Sequence, residues 1–130
     1  MTEKRFVLDT NAVIFLTTSG NTIPIDLCNE LNDADLFISS ITEIELFAKP
    51  AMSHDEEEKL RSFITDRLLV IDLTSDVKNE TIALRRAIKL KLPDCIVAAT
   101  AIVLNATLLT ADNELLRLEW HGYDVKDYCK

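Results

Sequence analysis

The chain has 130 residues, of which 48% are hydrophobic and 28% are charged, with only two glycines and three prolines. This composition predicts a single domain with a core of its own and excludes a disordered or low-complexity chain. Two glycines leave no glycine-rich phosphate-binding loop, and two histidines leave little room for a histidine-based zinc site. The formal net charge of −8 argues against a generic basic nucleic-acid-binding domain, so a protein of this charge that acts on phosphates needs metal cations.

The cysteines and the apolar stretches indicate a cytoplasmic protein. Cys28, Cys95 and Cys129 are an odd number without metal-ligand spacing, which is typical of a reduced protein. The apolar stretch near the N-terminus is interrupted at Asp9, unlike a signal peptide. The longest apolar stretch, residues 95–109, is too short and too polar to span a bilayer. We therefore expect a cytoplasmic location and no membrane partner.

Short apolar runs alternate with segments of helical periodicity along the chain. Hydroxyl or acidic residues, or a proline, begin most of the helical segments, as is typical of helix N-termini. The predicted elements are, in chain order, a strand at 5–8, a helix over 12–16, a loop at 18–24, a helical stripe over 23–31, a strand at 36–39, a helix over 41–48, a helix starting after Ser53, a strand at 68–73, a helix over 77–88, a helix starting at Pro93, a strand at 108–110, a short helix over 113–118 and, as a fifth strand, 123–125.

Continuous apolar strands that alternate with helices predict a parallel sheet covered by helices on both faces. The predicted fold class is α/β: a three-layer α/β/α sandwich with a central parallel sheet of four or five strands, in one domain over residues 1–130. In such sheets the functional site lies beyond the carboxyl ends of the strands.

Acidic residues follow the predicted strands at that edge. Asp9 directly follows the first strand, Glu45 lies one helical turn beyond the second, and Asp94 begins the helix at Pro93. Asp112 and Glu114 follow the fourth strand. Carboxylates placed this close together repel and raise one another's pKa. Bound Mg²⁺ or Mn²⁺, which take oxygen ligands, would relieve the repulsion.

Each acid also has a purely structural interpretation. Asp9 and Asp94 suit the starts of helices, where the helix dipole favours an acid, and Asp112 suits a solvated loop. Glu45 is the most informative acid because it shares one helical face with Ile41, four residues earlier. A glutamate on a core face is uncommon unless it is paired or bound to metal.

Four segments carry a resemblance to a known family. They are L-D-T-N-A-V-I at 8–14, I-S-S-I-T-E-I-E-L at 38–46, L-P-D-C-I-V-A-A-T-A at 92–101 and L-L-T-A-D-N-E at 108–114. In order, spacing and overall length the chain resembles PIN-domain ribonucleases, and within them the small VapC-type toxins of prokaryotic toxin–antitoxin pairs. Each segment alone is a weak signal, whereas the four in order are a strong one and cover nearly the whole chain.

The resemblance implies a site, a reaction and partners. By position it implies that Asp9, Glu45, Asp94 and Asp112 are catalytic and bind the metal, that Glu114 is a further metal-site acid, and that Asn11 and Thr110 support the site. It implies a Mg²⁺- or Mn²⁺-dependent endoribonuclease that cleaves RNA with a metal-activated water and leaves 5′-phosphate and 3′-hydroxyl ends. It further implies a cognate antitoxin, which we expect to insert a basic arm, and a homodimer, whose interface we expect around residues 23–31 and Phe47.

Three features depart from the family pattern. Ala111 stands where a basic residue is common, and Leu115 stands where an aromatic residue often follows the final acid. Residues 49–58 combine Pro50 with an acidic run where a small glycine-containing turn is usual. These differences concern substrate contacts and leave the metal-site acids intact.

A cluster of basic residues lies just before Asp94 and has two interpretations. Arg85, Arg86 and Lys89, together with Lys91, fall within seven positions. They suit a rim that binds RNA phosphates beside the acids. They equally suit a solvated helix face opposite an apolar stripe.

Two other functions fit parts of the pattern. One is a catalytically silent PIN-like binding module, which the intact set of acids argues against and which a metal titration would distinguish. The other is a phosphate-transfer domain with an acid after its first strand. A phosphatase of the haloacid type needs a second aspartate where Asn11 stands, and a receiver domain needs paired acids and a late lysine, so both fit worse.

Overall fold

Five parallel strands form one sheet in the order β3-β2-β1-β4-β5. The computed structural model describes residues 4–129, so residues 1–3 and 130 of the expected domain lie outside the described residues. The strands are β1 (Arg5–Leu8), β2 (Asp35–Ser39), β3 (Leu69–Ile71), β4 (Thr107–Thr110) and β5 (Asp124–Asp127). The helices of the described residues are α1 (Thr10–Thr17), α2 (Ile25–Asn32), α3 (Ser40–Phe47), α4 (His54–Arg67), α5 (Ser75–Ala87), α6 (Leu92–Val103) and α7 (Asn113–Arg117).

The central strand β1 is apolar on both of its faces. Side chains alternate across a strand, so Val7 packs into one core cluster with Leu108, and Phe6 and Leu8 pack into another with Leu27. The first cluster contains α5 and α6 residues, and the second contains residues of α1, α2 and α4. The predicted three-layer α/β sandwich with a parallel sheet is confirmed, with five strands.

Side-chain caps set the starts of most helices. The Asp9 carboxylate accepts the Ala12 N–H at 2.7 Å and begins α1. Ser53 and Glu56 form a reciprocal capping box at the start of α4, which satisfies two otherwise unpaired backbone donors. Asp112 caps α7. The caps at Asp9 and Ser53 are local features, and for this reason the sequence predicts them, whereas the cap at Asp112 is not predicted.

Several element bounds differ from the predictions. Strand β3 is Leu69–Ile71 rather than 68–73, because Leu68 still ends α4 through its N–H on the Ile64 carbonyl at 3.0 Å. A turn with Thr74 N–H on the Asp72 carbonyl at 2.8 Å leads directly into α5. Strand β5 is Asp124–Asp127 and not 123–125, since its register is set by pairing with β4.

The residues expected at a self-interface are largely occupied within this chain. Leu27 and Leu31 are only 1% and 5% exposed, and Phe47 packs on the same core cluster and lies under the Arg61 guanidinium at 4.5 Å. The fold itself therefore covers Leu27 and Leu31 and part of Phe47, whereas Ile25, within the same predicted range, is 71% exposed, and the location of the interface stays a prediction. Between residues 4 and 129, no helix combines the length and the apolar character that a membrane crossing needs.

Candidate metal centre at the carboxyl edge of the sheet

The pairing of β1 with β4 brings two of the predicted acids to one place. Leu8 is in register with Leu109, and the Asp9 N–H extends the ladder by donating to the Leu109 carbonyl at 3.3 Å. Because both strands are parallel and end at this point, the residues that follow them lie side by side. Asp9 and Asp112 therefore meet although they are far apart in sequence.

Asp9 is the buried acid of the site, with 8% of its surface exposed. One oxygen accepts the Ala12 N–H, and the other, Oδ2, accepts the hydroxyl of Thr110. Burial raises the pKa of Asp9, and the nearby charges of Asp112 and Glu45 raise it further, while the two hydrogen bonds oppose the shift. The carboxylate is thus held in a fixed orientation in an environment that disfavours its charge.

Thr110 joins Asp9 to Asp112. Its hydroxyl is fully buried, donates to Asp9 and accepts the Asp112 N–H at 3.0 Å. Oδ1 of Asp112 in turn accepts the N–H groups of Glu114 and Leu115 at 2.8 and 3.2 Å. Both acids after β4 are exposed, and Oδ2 of Asp112 is not engaged by residues 4–129. Through its two hydrogen bonds the Thr110 hydroxyl connects the residues that follow β1 and β4.

Asp94 faces the same group of acids from the first turn of α6. It is half-buried, and its pKa is raised by burial first and then by Asp112, with smaller contributions from Glu45 and Asp9. Lys91 opposes the shift. No residue of the described chain donates a hydrogen bond to the Asp94 carboxylate, so its oxygens are available to a ligand.

Glu45 reaches the site through a residue that sequence reasoning missed. The Thr10 hydroxyl donates to Glu45 Oε1 at 2.6 Å. The only signal for this contact is that Thr10 directly follows Asp9. The prediction that Glu45 lies on a core face is wrong, because the buried positions of α3 are Thr42 and Leu46, whereas Glu45 is exposed.

The remaining predicted residues lie further from the acids or are engaged elsewhere. Asn11 is exposed on α1 and makes no side-chain hydrogen bond within residues 4–129. The Arg85 guanidinium donates to the Leu90 carbonyl, which ties down the segment after α5. Arg86 and Lys89 are exposed. Of the basic cluster, only Arg85 is committed to a contact within the chain.

Tyr123 is a second residue that the sequence analysis did not single out. Its phenol donates to the Leu115 carbonyl at 2.7 Å and so connects α7 to the residue before β5. Burial raises the pKa of Tyr123 above its usual range, and Asp9 and Asp112 are among the charges that add to the shift. The neutral phenol therefore packs beside the acids and supports the helix that carries Glu114.

The carboxylates of Asp9, Glu45, Asp94 and Asp112 come from four different parts of the chain and influence one another's charge. Within the described part of the chain, however, no three His, Cys, Asp or Glu side chains already form a closed cluster around one ion position. Carboxylate oxygens are the ligand type that Mg²⁺ and Mn²⁺ take. The donor set fits such an ion once the exposed carboxylates turn towards Asp9.

A comparison with known families identifies the class of protein. The family model described as "PIN domain" matches residues 6–120. The chain therefore belongs to the PIN-domain family. No curated protein sequence matches the chain.

Similar chains also occur among solved structures. The chain is similar to one in the DNA-bound VapBC complex from Salmonella typhimurium, with 27% identity, a TM-score of 0.74 and coverage of 97% of this chain and 99% of that one. It is similar to one in a toxin–antitoxin complex from Klebsiella pneumoniae, with 28% identity, a TM-score of 0.69 and coverage of 90% and 93%. A chain of VapBC2 from Rickettsia felis, bound to a promoter DNA fragment, has the same fold at 23% identity, with a TM-score of 0.77 and coverage of 95% and 98%.

Proposed function

We propose that this PIN domain is a metal-dependent endoribonuclease that serves as the toxin of a toxin–antitoxin pair. The observation that carries the proposal is the convergence of carboxylates around Asp9; burial first, and then these neighbouring charges, raise the pKa values of Asp9 and Asp94. Such a cluster is costly for a fold and is typical of functional sites. The similarity to chains of toxin–antitoxin complexes from Salmonella and Klebsiella supports the toxin role.

The residues that would hold the ion are Asp9, Glu45, Asp94 and Asp112, with Glu114 beside them. A bound Mg²⁺ or Mn²⁺ supplies charge neutralisation at the phosphate and a water of lowered pKa. The chain's own groups set the orientation of the ligands: Ala12 and Thr110 hold Asp9, Thr10 holds Glu45, and the first turn of α7 holds Asp112. Asp9 is thereby held in place, and the exposed carboxylates would complete the ligand set by turning towards it.

The substrate of this proposal is RNA. Because the whole chain carries a net charge of −8, exposed cations are the groups that would contact RNA phosphates. Arg86 and Lys89 are exposed and make no side-chain hydrogen bond or ion pair within residues 4–129, whereas the Arg85 guanidinium donates to the Leu90 carbonyl. The hydrolysis would leave 5′-phosphate and 3′-hydroxyl ends, as the family resemblance implies.

The partner of this proposal is an antitoxin with a basic arm. A groove of about 450 Å³ runs between α1, α3 and α4 and is lined by Glu45 together with apolar side chains such as Ile14 and Leu60. An arm that lays an apolar face in this groove would bring a Lys or Arg to the acids, where opposite charges give specificity. A pull-down of the tagged protein from its native host should recover a small protein with such an arm. Recovery of none would count against the toxin role and leave the nuclease intact.

Self-association as a homodimer is also proposed, through exposed side chains of α2, within the range expected from sequence, and of α3. Ile25 and Ile44 remain 71% and 62% exposed, whereas Leu27 and Leu31 are buried. If Ile44 lies in the interface, Ile44→Glu should convert a dimer to a monomer in light scattering, while Ile25→Glu serves as the matched comparison. A wild-type protein that is monomeric at every concentration would exclude the homodimer.

One experiment separates the nuclease from the catalytically silent binding module. Wild-type protein and Asp9→Asn are incubated with single-stranded RNA in Mg²⁺, Mn²⁺ or EDTA, and their melting temperatures are measured with the same ions. We expect metal-dependent cleavage and a metal-induced rise in Tm for the wild type, since a ligand of the native state stabilises it, and loss of both in the variant. RNA binding without cleavage or metal-induced stabilisation would favour the silent module.

A further inference from the structure

A second cavity lies beside Glu114, an acid of the proposed metal centre. It has a volume of about 320 Å³ and lies between the segment that joins α5 to α6 and helix α7. Leu90 and Leu118, which are 5% and 9% exposed, form its apolar wall. Glu114 lines the same cavity from the first turn of α7. This shared residue places the cavity next to the site of the proposed reaction.

Hydrogen bonds within the chain hold both walls of this cavity. On one side Arg85 donates to the Leu90 carbonyl, and the Leu90 N–H donates to the Ile88 carbonyl at 3.1 Å. On the other side the Tyr123 phenol and the Leu118 N–H both donate to the Leu115 carbonyl, at 2.7 and 3.4 Å. The cavity is thus formed before any ligand arrives, as small-molecule sites usually are.

Two cations stand at the mouth of the cavity with no acidic partner in the described chain. Lys89 and Arg117 line it, and both are exposed. Arg117 uses its Nε to donate to the Asn113 carbonyl at 3.2 Å, which leaves its terminal nitrogens to solvent. Two acids, Glu114 and Glu119, also line the cavity, and within the described residues neither forms an ion pair with Lys89 or Arg117. An apolar wall flanked by cations matches an unpaired nucleotide, whose base needs an apolar face and whose phosphates need positive charge.

We infer that this cavity is a nucleotide subsite. It takes the base of an unpaired RNA nucleotide next to the cleaved phosphodiester, with the base against Leu90 and Leu118 and the adjoining phosphates on Lys89 and Arg117. The inference rests on the proposed function and adds to it the part of the RNA that the protein recognises. The volume, at the lower end of ligand pockets, suits one base and not a base pair, so the substrate at this position is single-stranded.

The first test measures the salt dependence of RNA binding. Labelled single-stranded RNA is titrated with wild type and with Lys89→Gln/Arg117→Gln, with Ca²⁺ in place of Mg²⁺ to suppress cleavage. The matched control is Lys78→Gln/Arg61→Gln: Lys78 is exposed towards the other end of α5, and Arg61, like Arg117, uses its Nε for a partner four residues earlier. The slope of log affinity against log salt should flatten by about 0.7 for each lost phosphate contact in the site variant only.

The second test asks whether a base occupies the cavity. The wild-type cleavage position is mapped, and RNAs lacking one base are compared, with the base removed either beside that position or at the far end. Removal beside the cleavage position should weaken binding by at least about fivefold, and removal at the far end should not. Equal loss of binding from base removal at the two positions would overturn the subsite, as would equal salt slopes in the site and control variants. In either case, cleavage of RNA by the wild type would still support the nuclease. Absence of both RNA binding and cleavage in the wild type would overturn both.

Discussion

Replacement of Thr110 by valine tests the hydrogen-bonded connection between the two strand ends. Valine has nearly the shape of threonine but no hydroxyl, so the change removes the donor to Asp9 and the acceptor of the Asp112 N–H without opening a large cavity. A hydrogen bond to a charged group contributes about 1.5–3 kcal/mol, and an unsatisfied buried donor adds a cost of its own. We expect the free energy of unfolding of metal-free Thr110→Val at neutral pH to fall by about 2–4 kcal/mol. This loss lowers Tm by roughly 6–20 °C for a chain of this length.

The effect should depend on pH with a definite sign. The pKa of Asp9 in the fold lies above its ordinary value of 3.8 because the carboxylate is buried, and the Thr110 hydrogen bond holds it down. An acid with a raised folded pKa favours the fold when protonated, so its contribution to stability falls as pH rises from the unfolded pKa through the folded one. Without the hydroxyl that pKa rises further. The deficit of Thr110→Val should therefore be smallest in acid, where Asp9 is protonated, and should grow towards neutral pH.

The control for this prediction is Thr110→Ser, which keeps the hydroxyl and loses one methyl group. Thr110→Ser should lower the free energy of unfolding by about 1 kcal/mol, because a buried methyl group is lost. This reduction should be independent of pH. Urea denaturation in EDTA at several pH values measures both variants. Equal stabilities for the valine and serine variants at neutral pH, or a valine deficit that does not change with pH, would refute the account of Asp9 given above.

Three further predictions concern other residues of the site and its surroundings. In EDTA at neutral pH, Asp9→Asn should raise Tm, because it removes a buried charge that Asp112 and Glu45 repel. The asparagine amide oxygen can still accept the Ala12 N–H. A lower Tm would show that the Asp9 charge is well compensated. Glu45→Gln should abolish RNA cleavage and Glu43→Gln should leave most of it, since Glu45 is the one of the two that is bound by Thr10; equal losses in a gel assay would contradict this distinction. Arg85→Gln should lower the free energy of unfolding by about 1 kcal/mol, because the Arg85 guanidinium donates to the Leu90 carbonyl. Exposed Arg86→Gln should change it by no more than about 0.5 kcal/mol. A larger loss for Arg86→Gln than for Arg85→Gln in thermal denaturation would contradict this prediction.

The sequence by itself determined the local features of this protein. Apolar runs such as residues 5–8 predict buried strands because a parallel sheet is covered on both faces. Asp9 and Ser53 predict helix starts because a side-chain oxygen two or three residues away can satisfy the free N–H groups. The four acids and their order along the chain also follow from sequence, together with the family resemblance that the comparisons confirm.

Only the tertiary structure decided which of these features meet. The strand order β3-β2-β1-β4-β5 places the ends of β1 and β4 together, and no local pattern encodes that long-range pairing. Two side-chain contacts depend on how helices and loops pack: Thr10 with Glu45, and Arg85 with the Leu90 carbonyl. Which residues of α3 are buried depends on the neighbouring layer that covers them. Periodicity and capping are properties of a few neighbouring residues, whereas a site built from four distant segments exists only once the sheet has been assembled.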